Sequence, residues 1–163
     1  MPQVANAKGD VGILKRSFDK NVALGERAVA SDYEMVFKGA EQLTALVRTS
    51  QMPAFGRGDP VEDWGQFGQG FQQYGAIKRD GDIVANIVEL KDGSTTDALK
   101  RIIDEKRHID IDVALVGEGQ TRKGWELLTC TISCDAQELD TSNRTGTVQI
   151  PVNIHHNWSE RIA

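Results

Sequence analysis

The sequence predicts a mainly β protein: an antiparallel β-sandwich or barrel with one flanking α-helix and an extended N-terminal arm. Three observations carry that expectation. Several segments alternate apolar and polar residues with period two, as strands buried on one face do. These segments follow one another through turns instead of alternating with helices, which favours antiparallel pairing. One segment, after Gly93, repeats its apolar residues plainly at helical spacing.

Composition bounds the rest. A chain of 163 residues, 39% hydrophobic with 16 glycines, suits one domain with a real core. Nineteen Lys and Arg stand against 24 Asp and Glu, a formal charge of −5 with no basic cluster. Gripping nucleic acid rests on many cationic phosphate contacts, so this balance argues against it. No apolar run approaches the ~20 residues that span a bilayer, so no membrane anchor is expected. Met1–Lys8 lacks the charged and then apolar regions of a secretion signal, which predicts folding in a cytoplasm.

Residues 1–30 have no clear periodicity and read as an extended arm or long loop; 31–163 reads as a single β-rich domain. Tyr33–Lys38 alternates as a strand. Leu43–Arg48 reads as a second strand, so 32–49 is expected to be a hairpin. A turn-rich stretch, Met52–Pro60, leads to Trp64–Ile77, where four glycines and four glutamines are interleaved with Phe67, Phe71 and Tyr74. Glycine in a strand often marks a bulge or the close approach of another backbone. Asp80-Gly81 is a hairpin turn signal, and Ile83–Leu90 is the strand after it. Ser94-Thr95-Thr96 offers a helix N-cap, with Leu99, Ile102 and Ile103 as one apolar stripe and Lys106, Arg107 and His108 at the C-terminal end. Strands over 109–116, 125–134 and 147–154 complete the expected fold. Leu99, Ile102 and Ile103 should pack on Ile109, Ile111, Val113 and Leu115.

Motifs for chemistry are missing from this sequence. His155 and His156 are neighbours, which on a strand point to opposite faces, and no HExxH, GxSxG or Walker-type loop occurs. No catalytic residue, metal site or cofactor is therefore expected. Cys130 and Cys134 would share a strand face roughly 13 Å apart at ~3.3 Å per residue. That separation excludes a mutual disulfide and leaves two buried thiols or an intersubunit disulfide. Asp110 and Asp112 share a strand face with nothing around them to suggest a pocket.

The run Leu46-Val47-Arg48-Thr49-Ser50-Gln51-Met52-Pro53 is followed by a loop, a Gly/Gln/aromatic segment and an Asp-Gly turn, with a single later helix before the closing strands. This succession resembles the tail tube proteins of contractile-tailed bacteriophages, over roughly residues 30–158. The resemblance implies a structural protein that self-assembles into stacked hexameric rings and forms the inner tail tube. Its partners would be other copies of itself, the sheath protein, the tube initiator or baseplate, and the tail terminator. DNA would transit the lumen during ejection without specific binding, past a wall whose acids repel it. The protein would sit in the virion tail after assembly in the host bacterial cytoplasm. On this model Tyr33, Met35, Phe37, Leu43, Ala45, Val47, Phe67, Phe71 and Tyr74 are candidates for the ring-forming sheet. Phe55, Arg57, Asp59 and Trp64 are candidates for ring stacking, and Glu34, Asp82, Asp110 and Asp112 for the lumen. The alternatives are a tube-initiator or baseplate component of a phage or contractile injection system and, from another class, a small ligand-binding β-barrel.

Overall fold

A computed structural model describes residues 10–117 and 122–162. The first nine residues of the expected arm and residues 118–121 of the turn after Val116 lie outside the described residues. The chain divides into two units, Met1–Asp32 and Tyr33–Ala163.

In the first unit, Val11–Leu24 forms helix α1 where an extended arm or loop is expected from sequence. Asp10 caps it, its carboxylate accepting from the backbone N–H groups of Gly12 (2.8 Å) and Ile13 (3.2 Å). Gly25 ends it at φ 79°. Val11, Leu14, Phe18 and Val22 recur at three- and four-residue intervals, a helical stripe hidden among polar residues. None of its residues is buried.

The second unit is a nearly closed antiparallel barrel. Its strands are β1 (Tyr33–Phe37), β2 (Val47–Thr49), β3 (Gly56–Arg57), β4 (Val61–Trp64), β5 (Gly70–Gln73), β6 (Ile77–Lys78), β7 (Gly81–Val88), β8 (Ile109–Val116), β9 (Arg122–Cys134), β10 (Gln149–His156) and β11 (Trp158–Arg161). Helix α2 (Ser94–Asp104) joins β7 to β8. The main sheet runs β1-β8-β9-β10-β7-β2, with β11 also paired to β9.

Long strand β9 joins the two halves of this sheet at a bulge. Ile109 faces Cys130 while Ile111 faces Leu127, so Leu128 and Thr129 together oppose Asp110. Thr129 takes φ 53°. Its N–H donates to the Asp110 carboxylate (3.0 Å), and its carbonyl accepts from the Asn157 side chain (2.9 Å). Asn157 is also the break between β10 and β11. The bulge restores inward phase, so Leu127, Cys130 and Ile132 all lie in the core.

The ends of the sheet meet near Tyr33, whose hydroxyl donates to the Arg48 carbonyl (2.8 Å). The expected 32–49 hairpin does not form: β1 pairs with β8 and β2 pairs with β7. Residues Glu41–Leu46 make a 3-10 turn instead of a strand. Leu43, Leu46 and Val47 fall at i, i+3 and i+4, which is helical spacing, and only Leu43 is fully buried. Asp80-Gly81 likewise turns no hairpin, because β6 pairs back to β3 while β7 pairs with β10 and β2.

The barrel interior is filled by Met35, Phe37, Leu43, Ile83, Ile87, Leu99 and their neighbours. Each such side chain contributes roughly 1.5–3 kcal/mol through burial. Ile103 departs from the expected helix face and is 38% exposed, and Leu115 is half-buried. The helix start is capped from outside: Glu89, just past β7, accepts from the N–H groups of Thr95 (3.2 Å) and Thr96 (3.1 Å). Ser94 is bonded by Asp92 (3.1 Å), so the Ser-Thr-Thr run receives caps instead of supplying one.

Candidate assembly surfaces

Between β2 and β7 the chain leaves the barrel as a projecting hairpin. At its base, β3 pairs with β6; farther out, β4 pairs with β5. Every residue of β3 to β6 is exposed. Asp63 faces Phe71 and Val61 faces Gln73 on one side; Trp64 lies over Gly70 on the other. At the tip, Phe67 (φ 61°, ψ 23°) and Gly68 (φ 76°) are both left-handed, as a type I′ turn requires. The second position suits glycine; the first holds a fully exposed phenylalanine. Gly75 has the other reason for a glycine, since a Cβ there would collide with the Asp59 carbonyl across the hairpin.

The hairpin therefore gathers Phe67, Phe71, Tyr74, Arg57, Asp59 and Trp64 from two expected surfaces, ring-forming and ring-stacking, into one element. Phe55 sits at its root, stacked on Trp125 at 5.7 Å. Arg57 donates to the Gly75 carbonyl (3.2 Å), bracing the base. Of the other ring-forming candidates, Met35, Phe37 and Leu43 are buried in the subunit's own core, so their side chains meet no neighbour. Tyr33 and Val47 are half-buried and Ala45 is exposed.

The four candidate lumen acids do not form one acidic face. Glu34 pairs with Arg122 (2.9 Å), and Asp112 pairs with Lys38 (3.4 Å), which also holds Glu126 (2.6 Å). The hydrogen bond to Glu126 is the largest cause holding the Lys38 ammonium above its ordinary pKa. Asp110 is occupied by the bulge described above. Asp82 stands apart on β7, 2.7 Å from His155 Nδ1. A strand pattern places such acids on an outer face, but it does not reveal the cations that neutralise them from other strands.

The cysteines differ sharply. Cys130 is fully buried, and burial pushes its thiol pKa up to about 12. Cys134 is exposed at the end of β9, its pKa raised less, again by burial first. Of the two thiols, only Cys134 reaches the surface. The adjacent histidines split as strand geometry requires: His155 faces outward to Asp82, while His156 is buried with Nδ1 3.1 Å from the Gly81 carbonyl.

No family model and no curated protein matches this chain. Solved structures do match it. One is a chain of the sheath–tube complex of PVC, an extracellular contractile injection system, in its extended state (TM-score 0.65, 11% identity, 88% of this chain and 97% of that one). Another comes from the sheath/tube terminator of the same system (TM-score 0.67, 11% identity, 86% and 99%). A third is from the tube-terminating cap of the anti-feeding prophage (TM-score 0.64, 10% identity, 85% and 92%). The chain thus shares the fold of these chains from contractile injection systems.

Proposed function

We propose that this chain is a structural tube-type subunit of a contractile tail, either a phage tail or a related injection system, and that it self-assembles into stacked hexameric rings forming the inner tube. One observation carries the reading most directly: a tube-type barrel projects a hairpin whose aromatic side chains, Trp64, Phe67, Phe71 and Tyr74, are left exposed by the described residues. Exposed apolar groups gathered on one element mark interaction surfaces. A barrel interior filled with side chains leaves little for the ligand-binding alternative.

In this reading the hairpin and α1 serve contacts between copies, and sheath, initiator or baseplate, and terminator are the further partners. The lumen wall is the outer face of β7 and β10, where Asp82, Asn86, Gln149, Asn153 and His155 alternate with core residues and no Lys or Arg occurs. A surface of that kind lets DNA or another cargo pass without cationic anchors for it. The β1–β8–β9 outer face, with Lys38 and Arg122, suits a neighbouring subunit better. Cys134 remains available for an intersubunit bond.

Electron cryo-microscopy of the concentrated full chain tests this. Six-fold rings stacked into tubes are expected; a protein that stays monomeric at every concentration overturns the proposal. Copy number in native particles then separates roles: many rings for a tube, one or two for an initiator or terminator.

A further inference from the structure

A shallow apolar groove of about 180 Å³ lies between α2 and the end of β9, lined by Thr96, Leu99, Lys100, Ile103, Cys134, Gln137 and Ile150. It is smaller than the ~300–1,000 Å³ of small-molecule sites and of a size to take one aromatic ring. Ile103, which leaves the core stripe, forms part of its wall.

Resting on the tube reading above, we propose that Phe67 of one copy seats in this groove on the next copy. Three features support the pairing. First, the two surfaces lie at opposite ends of β7: the hairpin returns at its start, beside Gly81, and the groove lies at its far end, where Ile150 pairs with Ile87. A tip-to-groove contact between such ends is heterologous and repeats from copy to copy, as stacking requires. Second, Phe67 keeps a left-handed backbone that Asn or Gly would hold with less strain, and its ring gains nothing within its own subunit. Third, the charges match. The outer hairpin, residues 59–76, carries Asp59, Glu62 and Asp63 and no Lys or Arg, while residues 100–107 carry Lys100, Arg101, Lys106 and Arg107 against two acids. Complementary charge of this kind orients the approach of the two surfaces.

Cys134 supplies the reporter. In assembled wild-type protein its maleimide labelling should be at least about tenfold slower than in free subunits; buried Cys130 stays silent in both. In tubes of Phe67→Cys, a short bis-maleimide should give an intermolecular ladder that Cys134→Ser removes. Phe67→Asn should leave the unfolding midpoint of the free subunit unchanged or higher. It should also raise the concentration needed for stacking on the order of 30-fold, as loss of an interface anchor does. Tubes in which Cys134 labels as fast as in free subunits, or Phe67→Asn protein that stacks as readily as wild type, overturn this pairing and leave the tube reading standing. A chain that forms no stacked assembly overturns both.

Discussion

The barrel and the hairpin are both antiparallel β structure, and they use their side chains in opposite ways. In β7, Ile83, Ala85 and Ile87 turn inward and are buried, while Asp82 and Val84 face out. In β4 (Val-Glu-Asp-Trp) and β5 (Gly-Phe-Gln-Gln) the apolar residues keep no such alternation, and neither face is covered. Strand pairing is therefore common to both regions, while a buried, alternating face belongs only to the barrel. A two-stranded ribbon is marginal by itself in water. This one is braced at its base by the Arg57–Gly75 hydrogen bond and the Gly58 N–H donating to Ala76 (2.7 Å). What it holds outward is left for a partner.

Substitutions can break or sharpen that contrast. Phe37→Ala removes a fully buried ring from the barrel and should cost about 3–5 kcal/mol in urea unfolding. An intermediate loss is expected at the α2 cap: Glu89→Ala frees the Thr95 and Thr96 N–H groups and should cost ~0.5–2 kcal/mol, read from the same unfolding curves. By contrast, Trp64→Ala on the hairpin should move subunit stability by no more than about 0.5 kcal/mol while weakening assembly in light scattering. A Trp64→Ala subunit as damaged as Phe37→Ala would mean that the hairpin is part of the core after all.

The smallest expected effect is one of pH. Burial, then the neighbouring charge of His155, pushes His156 below its ordinary 6.5, with Asp82 and Asp80 opposing. The folded state therefore favours the neutral ring, and the unfolded chain takes up its proton first. This group's contribution to stability is full above about 6.5 and declines as pH falls toward the folded pKa. His156→Gln should make the melting temperature less sensitive to pH between 7 and 5; an unchanged slope would assign that sensitivity to other groups.

Much of the barrel was legible from sequence because period two and burial coincide there. The strands near 33–37, 83–88, 109–116 and 149–154 all declare themselves in that way, and α2 declares itself by helical spacing through Leu99 and Ile102. The failures have physical causes. Helix α1 was hidden because its four stripe residues are diluted by charge and no core selects them. Residues 43–47 fit two periods at once: Leu43, Ala45 and Val47 keep strand spacing, while Leu43, Leu46 and Val47 keep helical spacing. The bulge at Thr129 depends on Asp110 and Asn157, which lie 19 and 28 positions away in sequence. The candidate site was half legible. The glycines and aromatics of 64–77 signalled an unusual β segment, but only the pairing of β4 with β5 and of β3 with β6 shows that it stands clear of the barrel. Core residues such as Met35 and Phe37 looked like interface residues for the same reason: alternation does not say which surface covers a strand.

Replacing residues 59–74 with a short turn, with the β3–β6 base kept, tests the division of labour most directly. Thermal unfolding and electron microscopy are then read on the same sample. The account predicts a melting temperature within a few degrees of wild type, together with loss of stacked tubes. A variant that unfolds, or one that stacks as wild type does, would contradict it.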